Sequence, residues 1–528
     1  MGDPGNSSGV QQEAAFGFMP TLKKDRIFGW LDFTLVQAGF GIAAWCFLVG
    51  GLTGVTVQGK YAIWVILLGN AVPVLMCLPF ALQTARLGVD TFIASNMALG
   101  YRFSQVFFVI FVTLNLGWIA IANFMLGQAA AKLAGVAGMP EFLTTRTLGA
   151  PIWSILFMFV ALYITYLGPG VIKNIARVGV PCIIAILALL IGIVVFKYGF
   201  DTVWESRPSA PYTTGDGSID FGRSVVTALE WNVGLGFSWL VYLGQWCRLA
   251  RSEGAAINGS YLGLGLLLNI AAIFGAFIAL ILGDLNPPNW MLPAGGRVVG
   301  VLGLGLLVLA NLYASSYLMY AQALSMKTLS PRMNWRTCVL TCVPAVFLVV
   351  TPGFYDSYQR FLVMIAYVIA VFGGILVSDW LFVHRRRGEL GALYDRENPQ
   401  YRYLRGWNPA AIVTFVAATA FYWFMYNPVS DTPGPLMVRL GLGAGIPSFL
   451  FAAVLYTTLA KTAFRRLYAA DQEWQALRDR GQIAVMVPDQ IAVDLSGVCA
   501  EDWQDSEDDG CPEGLCTLEA LDDQMPAG

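Results

Sequence analysis

Apolar segments long enough to cross a lipid bilayer recur along almost the whole chain, and they constrain its fold more than any other feature. The hydrocarbon core of a bilayer requires about 20 mostly apolar residues from a helix. Because lipid leaves no other partner for backbone N–H and C=O groups, such segments must be helical, which predicts an all-α polytopic membrane protein with 12 transmembrane helices. The twelve segments are 29–54, 61–83, 105–131, 151–168, 178–198, 225–249, 256–283, 298–325, 336–351, 360–380, 409–426 and 436–460.

The composition agrees with a membrane protein. Hydrophobic residues make up 57% of the chain and charged residues 12%, whereas a soluble domain has about half and a quarter. The nine cysteines are scattered without metal-ligand spacing, so we expect neither a metal centre nor a disulfide framework. The formal net charge of −2 gives no support for nucleic-acid binding. We therefore expect a multi-pass protein of the cell membrane whose surroundings are lipids, and the sequence leaves its oligomeric state open.

The distribution of Lys and Arg predicts the orientation of the chain. Alternate loops carry 21 basic residues on the side of the N-terminus and 9 on the opposite side, so both termini are expected in the cytoplasm. The predicted domains are a cytoplasmic arm at 1–26, a transporter membrane domain at 27–460 and an acidic cytoplasmic tail at 461–528. Beyond Arg480 the chain has no Lys or Arg, which is typical of an acidic disordered tail, and its cysteines fit no zinc pattern. These cysteines are Cys499, Cys511 and Cys516.

Two of the apolar segments contain closely spaced glycines. Segment 225–249 carries Gly234 and Gly236, and segment 29–54 carries Gly39 and Gly41. Glycines weaken a helix, and freed backbone groups are tolerated at membrane depth only against protein or a wet cavity. Paired interruptions in the two halves of a chain indicate the binding site of a transporter.

The residues beside these interruptions are candidate substrate ligands. Trp118 lies in the middle of its segment, away from the membrane interface where Trp is common, so it is a candidate platform for stacking a flat ring. The alternative role of Trp118 is helix packing. Four residues at the second interruption are expected to line the cavity, with either Phe237 or Trp239 as the opposite aromatic face, and Phe40 joins them from the first. These four residues are Gly236, Phe237, Ser238 and Trp239.

Glu230 is the most informative polar residue of the interrupted segments. An ionisable side chain well inside a membrane span is costly and indicates a functional site by default. We therefore include Glu230 among the candidate binding residues. The alternative is that Glu230 lies near the outer surface and is hydrated, because Asp216, Asp220 and Arg223 precede it closely.

A stretch at the end of the tenth segment resembles the nucleobase:cation symporter-1 family, which contains cytosine permeases and hydantoin, allantoin and purine transporters. The resemblance lies in Asp379-Trp380, the basic run Arg385 to Arg387, Leu393-Tyr394 and the motif from Tyr403 to Asn408. It implies that the first ten helices form two inverted five-helix repeats, at about 29–198 and 225–380, with broken helices 1 and 6. The helices of 409–460 would then be additional.

The resemblance also implies the function. We expect a secondary active symporter that imports a small planar nitrogen heterocycle, such as a nucleobase, by alternating access and without a bound cofactor. A membrane enzyme is disfavoured because the single histidine, His384, lies in a basic loop, and no Walker A motif indicates ATP use. A transporter-like receptor that signals through its acidic tail is the alternative.

The coupling ion is either Na⁺ or H⁺. Sodium-coupled members of the family hold the ion between carbonyl groups at the helix 1 break, here around Gly39 and Ile42, and two hydroxyls on helix 8. Tyr313 and Ala314 stand where those hydroxyls are expected, and only a small shift in register would bring in Ser315 and Ser316. Without that shift the sodium site is absent, and Glu230 becomes the leading proton-binding carboxylate. The sequence thus favours weak or absent Na⁺ dependence.

Overall fold

The computed structural model describes residues 19–330, 332–351, 353–396 and 398–480. Most of these residues form helices, as predicted from the apolar segments. The first part of the predicted N-terminal arm and the acidic tail after Arg480, with its three cysteines, lie outside the described residues.

The first half of the chain forms eight α-helices. Helix α3 contains a π-helical turn at Leu67–Ala71, and α7 continues as a π-helix at Ile193–Tyr198. Short 3₁₀ helices occur at Lys23–Asp25 and Glu141–Leu143. The α-helices are α1 (Trp30–Gly41), α2 (Ala44–Thr56), α3 (Gly59–Leu87), α4 (Thr91–Leu99), α5 (Tyr101–Val136), α6 (Gly149–Tyr166), α7 (Pro169–Gly192) and α8 (Phe200–Glu205).

The second half contains thirteen α-helices and one two-stranded antiparallel sheet, β1 (Tyr426–Asn427) with β2 (Thr432–Pro433). Helix α11 has a π-helical stretch at Tyr261–Leu267, and α15 ends in one at Asp379–Val383. Short 3₁₀ helices lie at Tyr355–Ser357 and Arg465–Tyr468. The α-helices are α9 (Phe221–Ser238), α10 (Leu240–Cys247), α11 (Glu253–Leu282), α12 (Pro287–Leu329), α13 (Trp335–Leu340), α14 (Ala345–Val350), α15 (Tyr358–Ser378), α16 (Leu390–Tyr394), α17 (Pro399–Arg402), α18 (Pro409–Met425), α19 (Pro435–Leu440), α20 (Gly445–Lys461) and α21 (Ala469–Asp479).

Seven of the described helices are long and apolar enough to cross a membrane, or nine if two bent helix pairs each count as one span. One bent pair is α1 with α2, at 56°, and the other is α20 with the helical segment after it, at 81°. The predicted segment 225–249 is divided between α9 and α10, segment 336–351 between α13 and α14, and segment 409–426 is the 17-residue helix α18. The exact count of twelve spans stays a prediction.

The first predicted helix interruption is present, and the second is reduced to a single residue at a different position. Helix α1 ends at Gly41, and Ile42 and Ala43 adopt non-helical backbone angles before α2 begins. The prediction that the second helix breaks at Gly234 and Gly236 is wrong, because α9 remains helical as far as Ser238 and is separated from α10 only at Trp239.

The glycines of α9 have a packing role instead. A Cβ at Gly234 would collide with the carbonyl oxygen of Leu362 on α15. A Cβ at Gly236 would lie 2.8 Å from Pro73 Cβ on α3. Small residues permit this close approach of helices. Together with the burial of α9 from Val226 onwards and of all of α10, these contacts place the interrupted segment at the centre of the fold.

Candidate functional site

The two helix interruptions meet through their aromatic side chains. Phe40 stands one residue before the end of α1, and its ring contacts the ring of Trp239 edge-on, with the centroids 5.2 Å apart. Both side chains are buried. The predicted proximity of the two interruptions is therefore present, and Phe40 and Trp239 are the two candidate residues that the structure brings together directly.

A column of three parallel rings fills the space beside this contact. The ring of Tyr317 on α12 stacks on Phe40 at 3.7 Å and 14°, and on Trp246 of α10 at 4.0 Å and 13°. We call these three residues the ring stack. The Tyr317 hydroxyl donates a hydrogen bond to Gln37 Oε1 at 3.1 Å. Among the described residues, the buried Trp246 Nε1 has no hydrogen-bond acceptor.

Sequence reasoning missed Tyr317 and Trp246. The spacing of Tyr313, Tyr317 and Tyr320 by four and three residues places them on one face of a helix, and this pattern could have indicated an aromatic face on α12. No corresponding pattern marks Trp246, because its position in the ring stack depends on how α10 packs against α12.

Trp118 belongs to a neighbouring aromatic cluster. Its ring makes edge contacts with Trp45 at 5.9 Å, Tyr358 at 5.9 Å and Phe361 at 5.3 Å. Trp45 in turn contacts Phe40 at 5.5 Å. Trp118 is thus joined to the ring stack through one intervening indole, and its predicted role as a stacking platform stays a prediction.

Three candidates on α9 make their recorded contacts away from the ring stack, and their expected place in the lining of the binding cavity stays a prediction. Phe237 stacks on Phe449 of α20 at 5.4 Å and 13°, and the Ser238 hydroxyl donates to the Leu235 carbonyl at 2.6 Å. Gly236 packs against α3, as described above. Successive helix residues turn by about 100°, so the direction of each side chain depended on where α9 ends.

Neutral polar side chains surround the ring stack. Tyr242 donates a hydrogen bond to Asn115 Oδ1 at 2.6 Å, and Asn115 Nδ2 donates to Gln322 Oε1 at 2.8 Å. On the other side, Trp239 Nε1 donates to Asn70 Oδ1 at 3.3 Å. Amides and hydroxyls can both donate and accept hydrogen bonds, so this environment can recognise an uncharged polar molecule without a counter-ion.

The structure places Glu230 away from the ring stack. Its carboxylate accepts hydrogen bonds from the Tyr422 hydroxyl at 2.7 Å, from Ala444 N at 2.6 Å and from Gly445 N at 3.1 Å. These groups belong to α18 and to the N-terminus of α20. We call this arrangement the Glu230 pocket. Glu230 is fully buried, so the alternative of a hydrated side chain near the surface is wrong, and its expected place among the substrate ligands stays a prediction.

The expected sodium ligands on α12 face away from the α1 interruption. Asn123 Nδ2 on α5 donates to Ser315 Oγ at 2.8 Å, and the Ser316 hydroxyl donates to the carbonyl of Leu312 on its own helix at 2.9 Å. The side chains nearest to Gly39 are Val180 of α7 and, on α12, Tyr313, whose Cε1 would lie 3.4 Å from a Cβ at that glycine. The structure therefore does not bring Ser315 and Ser316 together with Gly39 and Ile42, because the tyrosine face of α12 lies there.

A cavity of about 220 Å³ lies beside the part of α5 that follows Trp118. Its wall includes Ile121, Phe124 and Phe354, and its rim carries Arg146 and Asp356, which form an ion pair. Phe354 contacts Phe361, which contacts Trp118. Aromatic rings thus lie between this cavity and the ring stack.

Comparisons with known proteins agree on one family. Residues 24–446 match the profile of a family described as permease for cytosine/purines, uracil, thiamine and allantoin. The hydantoin permease of Microbacterium maritypicum is 20% identical to this chain over 439 residues, which span 76% of this chain and 82% of that permease.

Solved structures show the same fold. The structure of Mhp1, a nucleobase-cation-symport-1 family transporter in a closed conformation with bromovinylhydantoin bound, superposes with a TM-score of 0.69 and 18% identity. That match covers 86% of this chain and 99% of Mhp1. A Na⁺-coupled sialic acid symporter in a substrate-bound outward-open state gives a TM-score of 0.54 at 10% identity, over 86% of this chain and 96% of that chain.

Proposed function

Because this chain belongs to the family of permeases for cytosine/purines, uracil, thiamine and allantoin, the nucleobase:cation symporter-1 family, we propose that it imports a small planar nitrogen heterocycle across the cell membrane. It is a transporter rather than an enzyme. The observation that carries the proposed substrate class is the ring stack, which lies where the helix interruptions meet. The hydantoin permease and the hydantoin-bound Mhp1 structure support the same class of ligand.

The geometry suggests how a heterocycle is held. Tyr317 fills a slot whose walls, Phe40 and Trp246, are each about one stacking distance away from it. If Tyr317 turns out of this slot, a flat ring of similar thickness takes its place between the same two walls. Stacking of a base on an aromatic side chain contributes about 1–3 kcal/mol and tolerates different rings.

Hydrogen bonds would then select the polar edge of the ring. When Tyr317 leaves, Gln37 Oε1 loses the donor that it has in this structure. A heterocycle with a ring N–H satisfies this acceptor, and an apolar ring of the same shape leaves it unpaired, which is unfavourable.

The test of this proposal is substrate binding and uptake by three tryptophan variants. Trp246→Ala should weaken binding of the best ligand from a panel of cytosine, uracil, allantoin and hydantoin by about tenfold or more, because it removes one wall of the slot. Trp64→Ala is the control, since Trp64 is 61% exposed on the helix surface. A normal affinity in Trp246→Ala together with a large loss in Trp118→Ala would move the stacking site to Trp118. Absence of binding across the whole panel in the wild type would refute the substrate class.

We further propose that transport is driven by protons and that both termini face the cytoplasm. The orientation of Ser315 and Ser316 away from Gly39 supports a proton over sodium, and Glu230 is a buried carboxylate on α9 that can bind it. In proteoliposomes, an imposed pH gradient should drive uptake, and a Na⁺ gradient alone should not. Uptake driven by Na⁺ alone and lost in Ser315→Ala would contradict proton coupling without affecting the substrate proposal.

A further inference from the structure

The single histidine of the chain is buried between two carboxylates from different segments. His384 follows the end of α15, and its Nδ1 lies 2.9 Å from Asp379 Oδ2. Its Nε2 lies 3.5 Å from Oδ2 of Asp471, which belongs to the first turn of α21. All three side chains are almost completely buried. We call these three residues the His384 joint.

Polar side chains hold both aspartates of the joint. Tyr456 of α20 donates a hydrogen bond to Asp379 Oδ1 at 2.7 Å, and Gln400 Nε2 donates to Asp471 Oδ1 at 2.7 Å. The rings of Tyr401 and Tyr468 lie 5.6 and 6.3 Å from the imidazole. The titratable groups that face His384 are therefore the two aspartates and these tyrosines, contributed by α15, α17, α20, α21 and the 3₁₀ helix before α21.

The histidine carries a positive charge in this setting. Burial alone lowers the pKa of His384, but Asp379 and Asp471 outweigh it and raise the pKa to about 9. An imidazolium is therefore present at neutral pH. Asp471 is the second of the two carboxylates beside this buried imidazolium, so the attachment of α21 through Asp471 is tied to the charge of this histidine.

The residues after His384 form a turn that needs external support. Arg385 and Arg386 have φ values of 51° and 62°, which side chains other than glycine rarely adopt. The turn is closed by hydrogen bonds from His384 N to Asp379 O at 2.9 Å and from Arg386 N to Trp380 O at 2.7 Å. Unfavourable backbone conformations persist only where the surrounding structure holds them, and here the joint lies directly beside the turn.

The turn also contacts the end of α3, and through it the start of α11. Arg86 near the end of α3 donates a hydrogen bond to the Arg386 carbonyl at 3.2 Å and lies 5.9 Å from the ring of Trp380. The same guanidinium forms an ion pair with Glu253 of α11 at 2.7 Å. A continuous set of contacts therefore runs from α21 through His384 and the turn to α3 and α11.

We propose that α21 is a clasp that holds the end of α15 against α3 and α11 on the side predicted to face the cytoplasm. Docking of Asp471 on His384 keeps the strained turn at Arg385 and Arg386 in place. This turn then positions the Arg386 carbonyl for Arg86. Release of α21 frees this edge of the bundle.

Hydrogen–deuterium exchange of the full-length protein in lipid nanodiscs tests the clasp. Asp471→Asn should increase exchange by about tenfold in residues 380–388 and also at 80–88 and 251–257, which do not touch Asp471. Glu473→Gln is the matched control, because it removes an exposed carboxylate two residues away on the same helix and should change nothing. Asp471→Glu should restore part of the protection, since it keeps the charge.

A second variant keeps the test decisive if Asp471→Asn does not fold. Gln400→Leu removes only one hydrogen bond to Asp471 and should give the same pattern of exchange at lower amplitude. Faster exchange confined to α21, with 80–88 and 251–257 as protected as in the wild type, would overturn the proposal. The outcome does not depend on the transported substrate, so it remains informative whether or not heterocycle binding is found.

Discussion

Two buried carboxylate sites lie near opposite ends of the same helix, and they are neutralised in different ways. At the N-terminus of α20, Glu230 accepts hydrogen bonds from two backbone N–H groups and the Tyr422 hydroxyl, all of them uncharged. Near the other end of α20, Asp379 accepts a hydrogen bond from Tyr456 and pairs with the His384 imidazolium. One carboxylate is thus stabilised by dipoles and the other by a cation.

This difference separates a site that can exchange a proton from a site that cannot easily do so. Binding of a proton to Glu230 removes its charge and leaves the N–H groups of α20 with a weaker acceptor, so protonation changes the contact between α9 and α20. At the His384 joint the imidazolium already carries a proton between two carboxylates. The comparison therefore leads us to propose proton coupling at the Glu230 pocket and mechanical attachment at the joint, with ring binding at neither.

The largest effect is expected from removing the partner of the buried cation. Asp379→Ala leaves His384 with Asp471 alone and removes the acceptor of Tyr456, so it should lower the free energy of unfolding by about 3 kcal/mol. The thermal midpoint of the purified protein measures this loss. Asp356→Ala is the control, because Asp356 is exposed and paired only at the surface. Equal midpoints for the two variants would show that the joint does not hold the structure together.

At the Glu230 pocket we expect a mutation to change the stability of the protein less than Asp379→Ala does, and to change proton-driven uptake more. Glu230→Gln keeps the volume of the side chain but cannot bind a proton, so uptake driven by a pH gradient should fall at least tenfold, or about 1.4 kcal/mol. Equilibrium binding of the heterocycle should change less than twofold, since Glu230 lies apart from the ring stack. If proton-driven uptake in Glu230→Gln matches the wild type, the proton site lies elsewhere. The Glu230 pocket and the His384 joint would then both be structural contacts only.

The smallest effect is expected from alkaline pH, and it should distinguish the sites without a mutation at either carboxylate. The pKa of His384 is raised from its usual value near 6.5 to about 9, so its stabilising contribution is complete below 6.5 and is lost as the pH rises through 9. The thermal midpoint should fall by about 2 °C between pH 7.5 and 9.5. His384→Gln supplies the control, and an identical fall in that variant would assign the effect to other groups.

Several features of the site could be predicted from residue patterns because they depend on local properties. The break between α1 and α2 follows from glycines inside an apolar segment. The burial of Trp118 follows from its depth in a long helix. Phe40 and Trp239 meet because each flanks an interruption. The resemblance to the symporter family covered the stretch around Asp379, yet it gave no role to His384, which the sequence alone placed in a basic cytoplasmic loop.

Other features required the packing of distant segments. Glu230 was correctly singled out as an unusual carboxylate, but its donors come from residues about two hundred positions later, on α18 and α20. Phe237 was a reasonable candidate for the central site from the sequence. In the structure α9 continues to Ser238, which directs the Phe237 ring towards Phe449. A helix turns by about 100° per residue, so an error of two residues in the position of a break redirects every side chain near it.

The sequence by itself determined that this chain is a helical membrane protein of one transporter family, because hydrophobic length and the backbone's need for internal hydrogen bonds leave few other folds in lipid. Only the tertiary structure decided which rings stack, which carboxylate meets a cation and which meets dipoles, and where α21 attaches. Those outcomes depend on contacts between residues far apart in the chain, and the free energy of each contact is set by distance and burial, which no local pattern contains.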